Sequence, residues 1–486
     1  MEREKSHVCH PFDHPEGLAV IPSPTMPDRI DDYRRFISSK AVTAEERGLS
    51  EIPPLKKHLF PFQRHCVEFG LRVGSWGLYL DTGLGKTACE LEWARHAAEA
   101  SNGKALILTP LAVARQIERE GIRWGYDIRV IRDQSEAGPG VNVCNYDRLD
   151  KLDPDAFGAV ALDEASILKS FTGKTTRSLI SAFAGHRWRM AATATPAPND
   201  HMELGQYSEY LGIMPSNEML MRWFITDQTQ MGKYRIKGHA VMDFWGWMAS
   251  WSRMAEHPRD LGDDRKGFDL PPLRVHRHQL STGANIGEGL FAEVEVSATD
   301  IHKIKRLTAD ERAKASAKIV RETDGPCLVW CDTDYEADAL LSAMKRIDGV
   351  VEVRGSQSIE DKEEGIMSFV EGRSRVLISK PSICGFGLNL QHCACVVYVG
   401  RTFSYESYYQ SVRRCWRFGQ KNPVDVHLIV AEGEKHVGNV IDRKAGDHAK
   451  MKEAMREAMK RSIRGGRDRK VEYDPSVNGR WPIWLR

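Results

Sequence analysis

Long hydrophobic runs are missing from this chain of 486 residues. No stretch approaches the roughly 18 consecutive apolar residues of a membrane helix, so none is expected. The first residues are charged and lack an apolar core, so no secretory signal is expected either. Cysteine occurs ten times but never in a Cys-x-x-Cys spacing, which removes the commonest zinc and redox readings. Cys327 and Cys331 flank one apolar run, and Cys393 and Cys395 lie in another, as buried free thiols of a reducing compartment would. The cluster His7, Cys9, His10 and His14 has no second ligand pair to complete a zinc site. A large charge of one sign is absent too: the net charge is +2, so the whole molecule is no polycation. A soluble protein of a bacterial or phage-infected cytoplasm is the expectation.

The charge that exists is unevenly spread. From Arg443 onward there are 13 Lys or Arg against 6 Asp or Glu, and in residues 1–54 there are 7 against 10. A basic tail favours phosphate-rich partners, although a solvated helix end has the same composition.

Residues 1–54 are irregular, with one helix expected around residues 31–39. From Leu55 short apolar runs alternate with helical patterns: 76–80, 105–109, 141–146, 159–162 and 189–194 read as strands. The alternation lapses between 203 and 300, a stretch rich in Trp, Met, His and Arg that reads as a helical insertion and linker. It resumes with apolar runs at 327–331, 350–354, 375–379, 394–399 and 425–430. Such alternation predicts parallel sheets covered by helices. The expected fold class is therefore α/β. Two domains, 55–202 and 301–442, stand in series, flanked by an accessory segment 1–54 and a helical basic tail 443–486.

Residues 80–87 read Leu-Asp-Thr-Gly-Leu-Gly-Lys-Thr, between an apolar run and a helical one. Thr82, Gly83 and Gly85 form a tight turn whose N–H groups can point at phosphate oxygens. Lys86 adds a charge at the β- and γ-phosphates, and Thr87 offers a hydroxyl to Mg²⁺. The helix opening at Lys86 aims its positive end at the same anion. Leu80 stands where Gly or Ala is usual. An apolar run ends in Asp163-Glu164, with Asp163 suited to the metal and Glu164 to orienting and deprotonating water. In residues 410–420, Gln-Ser-Val-Arg-Arg-Cys-Trp-Arg-Phe-Gly-Gln, Arg414 and Arg417 fall one helical turn apart.

Together these motifs resemble the superfamily 2 helicases, and within them the Swi/Snf-type branch. Thr193-Ala194-Thr195-Pro196 is similar to its coupling motif, and Phe60-Pro61-Phe62-Gln63 to its adenine-reading Gln motif. Gly385-Phe386-Gly387-Leu388-Asn389-Leu390 resembles its penultimate motif. Gln410, Arg414, Arg417, Gly419 and Gln420 fit all five places of its closing motif. The similarity runs from Leu59 to Val430, and details such as Trp-Arg-Phe-Gly-Gln are closest to compact phage and bacterial DEAD/DEAH-like members. Ser166 departs from the Asp-Glu-Ala-His form. The resemblance implies two RecA-like domains with ATP and Mg²⁺ in the cleft between them, Gln63, Gly387 and Gln410 at the nucleotide, and Arg414 and Arg417 as arginine fingers.

The same resemblance puts Thr109, Pro110, Asn145, Tyr146, Lys380 and Pro381 near a nucleic-acid strand, by phosphate contacts that carry no sequence information. Lys233, Arg235 and Lys237 alternate, so a strand would align them on one face toward a phosphate row. Phe244, Trp247, Met248 and Trp251 recur at helical spacing and read as core. The expected function is an ATP-dependent DNA translocase or helicase, on duplex DNA before single strands and on RNA less readily. The alternatives are the motor subunit of a restriction or recombination complex, working with a nuclease or replication partner, and an ATP-gated nucleic-acid clamp that barely hydrolyses.

Overall fold

The computed structural model describes residues 43–110, 113–170, 173–197, 200–226, 234–280, 298–384, 388–400, 404–431 and 435–464. The expected helix at 31–39 and the His7–His14 cluster lie outside the described residues.

In chain order the first part runs α1 (Pro61–Val73), β1 (Trp76–Leu80), α2 (Lys86–Glu99), β2 (Lys104–Thr109), α3 (Ala114–Arg123), β3 (Ile128–Val130), β4 (Gly140–Asn145), β5 (Ala159–Leu162), α4 (Lys174–Ala182) and β6 (Trp188–Ala192). Then come α5 (Leu204–Leu211), α6 (Ser216–Trp223), β7 (Phe224–Thr226), β8 (Tyr234–Ile236), α7 (Val241–Trp251), β9 (Ser252–Ala255) and β10 (Leu273–Leu280). The remainder is α8 (Ala298–Leu307), α9 (Ala309–Glu322), β11 (Cys327–Trp330), α10 (Asp334–Met344), β12 (Val350–Val353), α11 (Ile359–Val370), β13 (Val376–Ser379), α12 (Pro381–Cys384), β14 (Cys395–Tyr398), α13 (Tyr405–Val412), β15 (Val424–Ala431) and α14 (Lys435–Arg464).

Two parallel sheets organise these elements. The first has the order β3-β4-β2-β5-β6-β1-β9, and the second β10-β15-β14-β11-β13-β12. β1, β5 and β6 are buried along their whole length, as central strands of a sheet with both faces covered must be. The second sheet separates two apolar clusters. On one face Val329, Ile378 and Val397 meet Ala317 and Val320 of α9 and Leu340 and Met344 of α10. On the other Trp330, Leu377 and Val396 meet Phe369, Leu390, Val412 and Cys415. All described cysteines are free and buried. This is the α/β class expected, as tandem RecA-like lobes.

The stretch 203–300 needs correction. It carries α5, α6 and α7, but it also gives β9 to the first sheet and β10 to the second. β9 aligns with β1 in parallel register, Tyr79 opposite Met254. Both sheets therefore have edges that the expected helical insertion did not foresee. Phe244, Trp247, Met248 and Trp251 are buried as core, with Trp247 against Trp223 at 4.6 Å between ring centres. The basic C-terminal stretch begins as α14, which packs on α7 and β9 of the first lobe. No described helix is long and apolar enough to cross a membrane.

Candidate active site

β1 ends at Leu80 and releases the chain into the loop 81–85. Gly83 (φ +90°) and Gly85 (φ +78°) lie in the left-handed region that side chains avoid. At Gly83 space is short as well, since a Cβ would meet the Phe418 main-chain nitrogen at 2.8 Å, and one at Gly85 would displace the Gln63 amide from its place. Lys86 Nζ donates to the Leu80 carbonyl at 3.0 Å, so it lies back across the loop. Leu80, the departure from the usual small residue, is fully buried as the last residue of β1. Thr87 stands in the first turn of α2. Gln63 is engaged at both ends: its Oε1 accepts from Phe60 N (2.9 Å) and its Nε2 donates to Leu84 O (2.9 Å). Through these two hydrogen bonds it braces the loop's main chain.

β5 delivers the acid pair. Four buried apolar residues fix the strand, and the chain then turns sharply, with Glu164 at φ +50°. A left-handed non-glycine residue costs about 1–3 kcal/mol and persists where packing over-determines it. Asp163 Oδ2 accepts from Thr109 Oγ1 at 2.8 Å, and its carbonyl accepts from the Tyr146 hydroxyl at 2.7 Å. Burial, and then the neighbouring Glu164 charge, push the Asp163 carboxyl up to about 6. Glu90 of α2 is buried with neither carboxyl oxygen hydrogen-bonded among the described residues; burial and Asp163 push its carboxyl well above the ordinary range. Glu90, Asp163 and Glu164 thus lie close enough to repel one another, with the Lys86 ammonium offsetting part of that charge. Ser166 Oγ reaches the Glu164 carbonyl at 3.5 Å, so it serves the turn's main chain.

The second lobe reaches this pocket with the residues after α13. Ser404 caps that helix, its Oγ accepting from Ser407 N at 3.2 Å. Arg414 is buried, and its Nη2 lies 3.7 Å from Glu164 Oε1. Glu164 Oε2 is buried without a hydrogen-bond partner among the described residues. Burial lowers the Arg414 guanidinium from its ordinary value, against the pull of Glu164 and Asp163. Arg417 donates to Leu388 O at 3.5 Å; burial, then the Arg414 charge, push it down to about 10. Gln410 Nε2 bridges the lobes to Thr195 Oγ1 at 3.3 Å, and Thr195 N donates to Thr193 Oγ1 at 3.1 Å. Lys169 of the first lobe pairs with Glu406 of the second. Gly387 lies outside the described residues.

The residues expected along a nucleic-acid strand scatter. Thr109 is fully buried behind Asp163, and Tyr146 holds the turn after β5. Both therefore support the acid pair, Thr109 with no exposed surface and Tyr146 half-buried. Pro110 is half-buried at the end of β2, and Asn145 ends β4. Lys237 Nζ donates to Met221 O and Arg222 O at 2.9 Å each, closing α6, so it leaves the row expected with Arg235. Arg235 is exposed, and Lys233 lies outside the described residues. Lys380 lines a cavity of about 110 Å³ with Pro381, Ser382, Ser404, Ser407 and Tyr408, and pairs with the exposed Asp334 at 2.9 Å.

Sequence reasoning missed Glu90, Asp81, Arg413 and Lys452, all buried at or beside the cleft. One signal was available: Asp81 puts a carboxylate inside the loop expected to bind phosphate, which calls for a compensating cation.

The chain is similar in sequence to known proteins. Residues 311–419 match the helicase conserved C-terminal domain. The chain is similar to protein p41 of Acyrthosiphon pisum secondary endosymbiont phage 1, at 25% identity over 471 residues, 82% of this chain and 98% of that protein. It is also similar to DEAD-box ATP-dependent RNA helicase 40 of Oryza sativa subsp. japonica, at 22% identity over 199 residues, 40% of this chain and 24% of that protein. With two parallel-sheet lobes in tandem and a helicase conserved C-terminal domain in the second, the chain is built as a helicase-type nucleic-acid motor.

Proposed function

We propose that this chain is an ATP-dependent DNA translocase or helicase of the Swi/Snf-type branch, hydrolysing ATP in the cleft between its lobes. The observation that carries this reading is the approach of Arg414 from the second lobe to Glu164 of the first, 3.7 Å apart beside the glycine loop. A γ-phosphate held by that loop would draw on a water-orienting carboxylate and a guanidinium, the pairing that phosphoryl transfer needs, and its entry has to part the two groups, which stand too close to enclose it.

The donor set fits Mg²⁺. Asp163 and Glu164 are hard oxygen donors, and Glu90, Asp163 and Glu164 together leave an excess of buried acid that a divalent cation offsets. Among the described residues no three His, Cys, Asp or Glu side chains converge on one metal position. Thr87 and Asp163 would therefore hold the ion together with phosphate oxygens and water. Bound there, Mg²⁺ supplies neutralisation of the phosphate charge. Glu164 orients the water and takes its proton, aided by the orphaned Oε2. Lys86 and the loop N–H groups hold the β- and γ-phosphates. Arg414, with Arg417 beside it, stabilises the charge on the transferring phosphoryl group. Gln410 and Thr195 carry the state of the site across the lobes. Opening and closing of the cleft then alternates the grip on a strand. Lys380 and the serine hydroxyls of its cavity suit a backbone phosphate there.

The rice relative's name gives RNA a place as the track, so the test has three arms. ATP turnover is measured with duplex DNA, single-stranded DNA and RNA as activators, alongside triplex displacement. Stimulation by duplex DNA with displacement is the expected result. Stimulation by RNA alone moves the track to RNA, and tight nucleic-acid binding with no turnover in any arm makes the chain a clamp.

A further inference from the structure

Arg413, next to Arg414 in the chain, does not face Glu164. It is 4% exposed, and its Nη2 donates to Asp81 Oδ2 at 2.7 Å and to Thr82 O at 3.3 Å. Asp81 opens the glycine loop. Its Oδ1 also accepts from the Tyr409 hydroxyl and from Thr82 N, both at 2.7 Å. From a third direction comes Lys452 of α14, buried, with Nζ 3.9 Å from Asp81 Oδ2 and donating to Tyr409 Oη at 2.8 Å. Lys452 also pairs with Glu256 at 3.0 Å, and Arg456 meets the same glutamate at 3.2 Å. Asp81 N donates to Ala255 O at the end of β9 (2.9 Å).

A buried carboxylate in a loop that must receive a triphosphate is a problem. Like charges a few ångströms apart in a dry cleft repel strongly. Burial alone would neutralise the acid by protonation. Here Arg413 and Lys452 override that tendency and hold Asp81 ionised, well below the usual carboxylate range. The loop's tolerance for an anion therefore depends on one cation from the second lobe and another from the C-terminal helix.

We propose that Arg413, with Lys452, is a positioning pair for nucleotide binding: the two cations cover the Asp81 charge and fix the loop, so that ATP affinity depends on lobe closure and on the docking of α14. The inference rests on the reading of loop 81–87 as the ATP site, but not on hydrolysis. Arg413 acts through Asp81 and leaves the chemistry to Arg414.

The test is titration of the full chain with a fluorescent ATP analogue, beside steady-state turnover with nucleic acid. Arg413→Gln should weaken nucleotide binding about tenfold or more and raise KM alike, with kcat changed less than about threefold. Lys452→Met should act in the same direction, by about threefold. Arg413→Lys should keep most of the affinity. The decisive variant is Asp81→Asn in the Arg413→Gln background: with no charge left to cover, it should recover most of the lost affinity. If kcat falls at unchanged KM, Arg413 is catalytic and the proposal is overturned. Losses that simply add in the double variant, or single variants that bind as wild type, overturn it too. A wild-type chain that binds ATP without hydrolysing it defeats the motor reading and leaves this inference standing. A wild-type chain that binds no ATP ends both.

Discussion

Two of the contacts that join the lobes are made by adjacent residues of the second lobe, and they are built differently. At the front, Arg414 approaches Glu164 at 3.7 Å, and Glu164 Oε2 has no described partner. At the back, Arg413 and Asp81 meet at 2.7 Å, and Tyr409, Thr82 and Lys452 complete the shell. A contact with its hydrogen bonds made holds geometry. One with a buried carboxylate oxygen that no described group satisfies keeps bonding capacity for a reactant. Adjacent residues of one sequence thus meet different surroundings across the cleft, Arg413 a carboxylate with its hydrogen bonds made and Arg414 one with an oxygen left over.

The sharpest way to break the comparison is at the front. Arg414→Ala should lower nucleic-acid-stimulated ATP turnover by about 10³–10⁵, the span of an arginine finger, while the ATP analogue still binds. Comparable turnover in that variant would make the front contact another joint. Glu164→Gln should follow, with a loss of about 10²–10⁴ in kcat as befits a general base. Retained activity would move the base elsewhere in the pocket, with Glu90 the next carboxyl to examine.

The back of the comparison is open to pH. His448 of α14 packs against Tyr405 and Tyr409, and burial, then the Lys452 charge, push its imidazole down to about 3. Its folded pKa lies below the unfolded value near 6.5, so the unfolded chain binds more protons over that interval. Stability is fully present above about 6.5 and is lost as pH falls toward 3. The loss should amount to about 2 kcal/mol between pH 6.5 and 5, read as a shift in urea unfolding. His448→Phe should flatten that interval; an unchanged slope would release His448 from the joint. The smallest effect belongs to the track. Lys380→Ala should weaken nucleic-acid binding uniformly across sequences and reduce the salt slope by about one. An unaltered slope would take Lys380 and its cavity off the phosphate path.

Among the strands that the sequence announced, 76–80, 159–162 and 327–330 are buried on both faces and show an unbroken hydrophobic run. Two that it concealed carry charge. Ser252–Ala255 hides behind Arg253, whose guanidinium lies 3.3 Å from the Phe69 ring centre and donates to Ala249 O and Ser252 O. Leu273–Leu280 is an exposed edge strand with two histidines and two arginines, so it shows no apolar signal. In the site, the glycine loop and the acid pair were legible because phosphate and metal chemistry demand those residue types at fixed local spacing. Thr109 is fully buried on Asp163, which its position in a motif did not reveal, because a motif says nothing about which way a side chain faces.

Sequence by itself determined the two α/β units, the cradle at 82–87, the acids at 163–164 and the presence of a basic closing motif. These are local: each needs only a few neighbouring residues and the periodicity of one strand or helix. Only the tertiary structure decided that Arg414 meets Glu164 while Arg413 meets Asp81, that Gln63 braces a loop, and that a helix ending near residue 464 reaches back to the phosphate loop. Such contacts join residues hundreds of positions apart, and their energies depend on burial and orientation, which no local pattern encodes.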